Sequence, residues 1–495
     1  MSGGSDNSYD EISIFCHNRL DVCNVMLSLI PIFLSLKEPM EAVGIEAAEV
    51  MIEKLPSLDF SFTSALLSLS LLILVSVVFD KFGLKLGIPG SIFLFFIGLF
   101  SHFSGFSFET FPLEELHVVA LCILLFFSGL SFDRTILRRN KLLVNSISLA
   151  VFGTVLSMVF WLVYMRIGFG VFQKYFGYLQ NVPPAFVSLF AVTVVFSIAV
   201  QDWNSFVFVS KRIKNFRTVI SNIFKIETAI SASISVAIAE LFVLAWLRLN
   251  PKYLEVGELK LFSSISQGIL IGSLTGIVLG YILTLTIRHI VTTKSQLVLT
   301  AVSFTFIGYV VSFSITNQGG FLCALVMGIV TSLTYRQAST EEEIEFLSEE
   351  LESLNIASEA ILFFAIGLAL EASSFFANLP LAIYAWIGII LIRPVTVNLF
   401  FRGSNVQPEE RRILSLWSPK GAISMALVVT APVLLEESFG IELYKYIPKT
   451  SLFFASDVVC GAVIISMLVK SLTIPRLHSL IIGSPQSTHQ EGGSD

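Results

Sequence analysis

The chain has 495 residues, 54% of them hydrophobic and only 14% charged, with 45 Phe and a formal net charge of −6. A soluble chain carries roughly a quarter charged residues, so too little polar surface is present to cover a soluble body of this size. The acidic balance gives no sign of a nucleic-acid surface. Five cysteines (Cys16, Cys23, Cys122, Cys323 and Cys460) show no CxxC spacing and no accompanying His cluster. That argues against a zinc site or a disulfide framework. Three of them lie inside apolar runs and read as small buried side chains.

Residues 1–19 are polar, and 20–36 form a short apolar run, LDVCNVMLSLIPIFLSL. The run has no strong basic stretch before it and no small-x-small cleavage site, which argues against a signal peptide. Residues 20–57 read as an interfacial helix or an extra span. The chain thus divides into an N-terminal segment (1–57), a transmembrane domain (58–478) and a polar, disordered cytoplasmic tail (479–495).

A bilayer core takes roughly 20 apolar residues as a helix. Apolar runs place spans near 62–79, 88–101, 117–132, 142–165, 185–209, 222–247, 263–287, 296–315, 320–334, 356–374, 379–400, 412–435 and 452–473, about thirteen in all. Basic residues test the count. Alternate loops hold Lys81, Lys85, Arg134, Arg138, Arg139, Lys141, Lys211, Arg212, Lys214, Arg217, Arg288, Lys294, Arg336, Arg402, Arg411 and Arg412, and the segment after the last span adds Lys470 and Arg476. The opposite loops hold only Arg166, Lys174, Arg248, Lys252, Lys260, Lys445 and Lys449. This asymmetry puts the C-terminus in the cytoplasm, across a cell membrane. The longest loop, 335–355, is an acidic helical linker (EEEIEFLSEELESL) with a solvated face. No loop holds a catalytic domain, so an enzyme is not expected and function sits within the membrane.

Ionisable groups at membrane depth are costly and mark functional candidates. Asp202, Glu227, Arg393, Lys420 and Asp457 lie inside spans, while Glu240 and Glu359 sit nearer span ends, within reach of an interface. Glu227 is five residues into span 222–247, and Arg393 is seven residues from the end of 379–400. At 1.5 Å per residue the two share a depth, which predicts a structural ion pair. Span 412–435 reads SLWSPKGAISMALVV. Pro419 removes a backbone donor and Gly421 loosens the next turn. A discontinuous helix with Lys420 at its break exposes backbone groups to an ion, as in many secondary transporters. A proline kink with a snorkelling lysine is the plainer alternative.

These residues resemble the monovalent cation:proton antiporter family, of the sodium/proton exchanger type. LFFSGLSFDRTILRRNKLLVNSISLAVFGTV is similar to the family's third and fourth spans with their basic turn. FFAIGLALE is similar to its tenth span, WSPKGAISMALVV to its W-G-G-L-R-G-A-I-S-L-A-L segment, and LVKSLTIPRL to its V-Q-G-L-T-L-P-P-L ending. The resemblance covers about residues 60–478. It implies an all-α fold of inverted repeats around two crossed broken helices, with core and dimerisation subdomains, a homodimer and elevator-like alternating access. One carboxylate site takes a cation or protons, never both.

The chain departs from the family at its centre. Where the family carries Thr-Asp-Pro, Gln201-Asp202-Trp203 stands; the carboxylate stays and the proline is gone. In IETAISASIS, Glu227 matches the family Glu, but Ser231 and Ala232 stand where the ion-binding Asn-Asp belongs. Arg393 in LIRPVTV matches the Arg that pairs with the Glu.

The expected ion and proton site is therefore Asp202, with Ser231, Asn204 and Gln201 as neutral ligands and Ser233 in reserve, since a hard cation wants several oxygens around a negative charge. Glu227–Arg393 is the structural pair, and Pro419, Lys420 and Gly421 form the break with its compensating charge. The expected function is exchange of sodium or potassium for protons in a lipid bilayer, with no cofactor and no metal beyond the transported cation. The alternative is a transport-inactive homologue acting as a regulatory, sensory or assembly subunit, with residues 1–57 as a docking element for a protein partner. No selectivity-filter motif or gating-charge helix supports a channel.

Overall fold

The computed structural model describes residues 60–101, 113–132, 140–176, 182, 184–213, 219–232, 235, 258–291, 293–316, 319–335, 341–402, 406–429 and 454–482. The chain divides into two compact units, Met1–Ser68 and Leu69–Asp495. The first is described only where the helix Phe60–Leu86 begins, and every other described helix belongs to the second. The expected helix within 20–57, Glu240 and most of the tail lie outside the described residues.

All regular structure among these residues is helical. α1 (Phe60–Leu86), α2 (Gly90–Ser101) and α3 (Leu113–Leu130) come first. α4 (Asn140–Ser148) runs through a π turn, Leu149–Gly153, into α5 (Thr154–Phe176). The Thr154 hydroxyl donates to Ala150 O at 2.6 Å inside that turn, a side-chain insertion of the kind that loosens a helix. α6 (Pro184–Ala199) and α7 (Trp203–Ser210) are two halves of one span, bent by 41° at their break. α8 covers 219–232. Then come α9 (Glu258–His289), α10 (Lys294–Thr316), α11 (Gly320–Tyr335), α12 (Glu341–Ala369), the short α13 (Ala372–Ala377), α14 (Leu379–Phe401) and α15 (Pro408–Leu416). α16 covers 422–429, and α17 (Phe454–Ile482) closes the described chain.

Several expected boundaries move. The spans placed at 88–101, 320–334 and 379–400 match α2, α11 and α14 closely. The acidic linker 335–355 and the span 356–374 instead share one continuous helix, α12. No Gly or Pro interrupts EEEIEFLSEELESLNIASEAILFFAI, so nothing ends the helix between its charged and apolar halves. The last helix passes Lys470 and Pro475 to Ile482, beyond the expected domain edge at 478.

Five helices are long and apolar enough to cross a bilayer among the described residues, or six when the bent pair counts as one span. α2 has 12 residues and rises about 18 Å, short of a bilayer core of roughly 30 Å. Such a helix needs protein around it, and Ile92, Leu94, Phe95 and Leu99 are buried accordingly. Lipid-facing rows lie on the long helices: Val163 and Ile167 on α5, Leu270 and Leu274 on α9, Ile307 and Val310 on α10 are all at least half exposed. The protein is an integral membrane protein.

Small residues set the closest helix contacts, as membrane bundles require when apolar burial alone cannot drive association. A Cβ on Gly98 of α2 would lie 2.4 Å from Phe364 O of α12, and one on Gly367 would lie 2.2 Å from Phe95 O. Gly129 of α3 and Gly328 of α11 repeat this at 2.2 and 2.1 Å. α5 and α14 are joined by stacked Tyr164 and Tyr384, ring centroids 4.2 Å apart. Each hydroxyl donates to the other's backbone carbonyl.

Candidate functional site

Two helix breaks cross at the centre of the bundle. One is Val200–Asp202, between α6 and α7; the other is Trp417–Gly421, between α15 and α16. A break strands backbone groups that a helix would pair, and within a membrane each must find a partner. Val200 O accepts from Lys420 Nζ at 2.7 Å, with Ser424 Oγ at 3.4 Å. Gln201 N–H donates to Ser231 Oγ at 3.2 Å, and Asp202 N–H donates to Pro419 O at 3.0 Å. On the opposite strand, Ser418 O accepts from Lys470 Nζ at 2.6 Å. Lysines thus cap the carbonyl ends of α6 and α15, where a helix carries partial negative charge.

Asp202 is the N-cap of α7. Its Oδ2 accepts from Ser205 N–H at 3.1 Å and lies 2.8 Å from Ser205 Oγ. That hydroxyl also lies 2.7 Å from Lys420 O, so its one proton serves one acceptor at a time. The carboxylate is 1% exposed. It also faces the start of α16, because a Cβ on Gly421 would sit 2.0 Å from Asp202 Oδ2 and 2.4 Å from Ser205 Oγ. Only glycine lets the two breaks approach this closely. Asp202 therefore sits at two helix N-termini, each favouring an anion.

The Gln201 carboxamide lies against the second break. Its favoured orientation donates to Pro419 O and accepts from Lys420 Nζ, both at 3.1 Å. Asp202, Gln201, Pro419, Lys420 and Gly421 are thus brought together. Ser231 is not brought to the carboxylate: its hydroxyl accepts from Gln201 N–H and donates to Thr228 O at 3.4 Å. Asn204 points elsewhere too, its Oδ1 accepting from Asn355 Nδ2. Ser233 lies outside the described residues. Ala232 is fully buried.

Beneath the crossing, Arg393 and Glu227 form a bidentate ion pair, one arm from Arg393 Nη2 to Glu227 Oε2 at 2.7 Å. Arg393 Nε donates to Leu414 O at 3.2 Å, tying the pair to the last turn of α15. The Arg393 guanidinium lies 5.7 Å from the centroid of the Phe224 ring. Phe224 and Phe206 pack on Trp417, with centroids 5.3 and 4.7 Å away. This aromatic floor supports both breaks.

A cavity of about 390 Å³ lies beside the crossing. Its walls come from α1 (Asp80), α2 (Ser91), α7 (Asn204, Ser205) and α12 (Glu352, Asn355, Glu359). Its mouth carries the exposed Lys211–Glu352 ion pair. Glu359, expected near an interface, instead faces this cavity and accepts from Ser91 Oγ at 3.0 Å. Lys470, expected in a loop, is buried in α17 at the second break. Ser418, Glu359 and Lys470 were missed as site residues because their partners lie far away in sequence, and Ser205 because a serine three residues past an Asp carries no signal of its own. The one local signal was a Lys or Glu flanked by apolar residues, in LVKSL and SEAILFF.

Asp457, at the start of α17, is buried away from the crossing. Its Oδ2 accepts from Ser374 Oγ at 2.6 Å and Asn378 Nδ2 at 2.9 Å. It ties α13 and α14 to α17.

The sequence profile of the family described as sodium/hydrogen exchanger, transmembrane, matches residues 66–479. Among solved structures the chain is similar to the sodium proton antiporter MjNhaP1 from Methanocaldococcus jannaschii at pH 8, with a TM-score of 0.67 and 16% identity over 86% of this chain and all of that one. An electron-microscopy structure of the same antiporter gives 0.64 and 15%, over 84% of this chain and 97% of that one. At this identity the likeness shows a shared fold. No curated protein matches the sequence significantly. The profile spans most of the chain and the fold agrees along nearly all of it: the chain belongs to the sodium/hydrogen exchanger family.

Proposed function

We propose that this chain is a secondary active transporter that exchanges a monovalent cation, sodium or potassium, for protons, with Asp202 as the group for which the two compete. The observation that carries the reading is a carboxylate buried where two helix breaks cross, bonded by Ser205 and, among the described residues, by no cationic side chain. An ionised Asp202 supplies the charge a dehydrated cation needs, and Ser205 Oγ, Gln201 Oε1 and the carbonyls of the breaks supply neutral oxygens. A protonated Asp202 carries the proton instead, so occupancy by one excludes the other.

Ser205 lines the cavity and contacts Asp202, which makes the cavity the approach to the site from one side. The basic asymmetry of the loops assigns that side to the cytoplasm. Glu227 and Arg393 hold α8, α14 and α15 in register and carry no ion. Membership of the family supports a homodimer with a moving core in the cell membrane.

One observation favours a second reading. Ala232 is buried where the family carries its ion-binding Asp, which fits a homologue that no longer transports and serves as a regulatory, sensory or assembly subunit through residues 1–57. Purified protein in liposomes with a trapped pH dye separates the two. Cation-dependent dissipation of an imposed pH gradient supports exchange and names the ion. Silence with sodium, potassium and lithium, from folded protein that copurifies with a stable partner, supports the second.

A further inference from the structure

Asp202 is the one carboxylate at the crossing of the breaks among the described residues, and a second acidic group, Glu359, lines the cavity beside it. Glu359 lies on α12, the helix whose Glu352 and Asn355 also line the cavity. α12 is joined to the Asp202 segment through Asn204, which lines the same cavity and whose Oδ1 accepts from Asn355 Nδ2, one turn before Glu359 on α12. Asn204 is two residues from Asp202, on the helix that Asp202 caps. Ser91 Oγ holds the far side of the carboxylate at 3.0 Å. One donor leaves a carboxylate with free lone pairs. Among the described residues no Lys or Arg bonds Glu359; Asp80 of α1 also lines the cavity, and the one cationic side chain that does so, Lys211, pairs with Glu352 at the mouth.

We propose that Glu359 is the second carboxylate of the ion site, supplying negative charge from α12 across the cavity from Asp202. This rests on the exchange reading. A cation entering the cavity meets Glu359, Ser91 and Asn204, all oxygen donors, before it reaches Ser205 and Asp202. Each carboxylate that is protonated before the cation arrives gives up its proton to water in the cavity, and regains one when the cation leaves. Because α12 and α7 are separate helices, the distance between the two carboxylates depends on how they sit against each other. The affinity of the site therefore changes whenever α7 moves relative to α12.

The test uses full-length protein in liposomes and in detergent, with Glu359→Gln and Glu359→Asp beside the parent chain. Glu359→Gln keeps an acceptor for Ser91 Oγ and removes the charge. The expected result is an apparent KM for sodium or potassium raised about tenfold or more, as ligand charge sets the affinity of such sites, with a shifted pH profile and unchanged melting in cation-free buffer. Glu359→Asp draws the carboxylate back by one methylene and is expected to restore most of the affinity while changing the order of preference among lithium, sodium and potassium. A parent chain that exchanges, with Glu359→Gln showing the same KM and pH profile, overturns this inference and leaves the exchange reading standing. If Glu359→Gln does not fold, an unchanged ion preference in Glu359→Asp overturns it equally. If the parent chain exchanges nothing, the exchange reading falls, and cation-induced thermal stabilisation decides here. Stabilisation by sodium or potassium that is lost in Glu359→Gln supports a two-carboxylate site; equal stabilisation in both, or none in either, overturns it.

Discussion

Asp202 sits at a helix break with Trp203, and no proline, after it. The break is held from outside: Lys420 takes Val200 O, Pro419 O takes Asp202 N–H, and Ser231 Oγ takes Gln201 N–H. The opposing break, through the Lys420 side chain and the Pro419 carbonyl, and Ser231 of α8 thus satisfy the backbone groups that the break leaves open. Asp202→Asn is expected to fold normally, because Asn caps a helix as well as Asp and still accepts from Ser205, while losing all cation-coupled proton flux. Melting temperature and flux, read on the same preparation, check both halves. Gly421→Ala is expected to abolish flux as well, since its Cβ would lie 2.0 Å from Asp202 Oδ2 and must push the two breaks apart. Glu227→Gln leaves the buried Arg393 with an uncompensated charge, at a cost of about 3–5 kcal/mol, seen as a lower melting temperature. Unchanged melting would show that the pair does not hold the helices. Asp202, Glu227 and Arg393 were legible in the sequence because a charge in an apolar run stands out and depth arithmetic pairs equal heights. Ser205 was not, because a serine carries no such signal until the fold sets it between Asp202 Oδ2 and Lys420 O.

At the scale of helices, the chain places its polar groups by breaking two spans and keeping a third unbroken. α12 runs from an acidic end to an apolar end without interruption, which carries Glu352, Asn355 and Glu359 along one wall of the cavity. Reading it as a linker followed by a span hid Glu359. The composition changes at about residue 356, but no residue there can stop a helix. The glycine contacts were equally present in the chain and equally unread: Gly272, Gly276 and Gly280 recur every fourth residue on α9, and their faces meet Gly319 O, Cys323 O and Met327 O of the next segment but one. Spacing alone shows a small-residue stripe; only the packing shows which helix it meets. Gly328→Val is expected to separate α3 from α11, with a loss of about 1–3 kcal/mol or more and a lower melting temperature. Flux per folded molecule should fall less than in Asp202→Asn, because the substitution removes no carboxylate of the site.

For the whole molecule, hydrophobic content, scarce charge and the alternation of basic loops were enough to establish a helical membrane protein, and the family resemblance added two crossed breaks. Expected span positions lay close to the observed helices wherever a Gly, Pro or polar turn marked the end. They drifted where a helix continued through a change of composition, as in α12 and α17. The candidate site followed less readily, because the groups around Asp202 and the cavity come from α7, the 417–421 break and α12, parts of the chain far apart in sequence. The central claim is that one buried site is shared by cation and proton in turn. The most direct test is the dependence of exchange on cation concentration at several pH values in liposomes. Direct competition predicts an apparent KM for the cation that rises as pH falls, while the rate at saturating cation stays constant, because protons and cation displace each other from the same carboxylate. A KM independent of pH, with only the saturating rate changing, would mean that the two bind at separate places and would contradict a shared site.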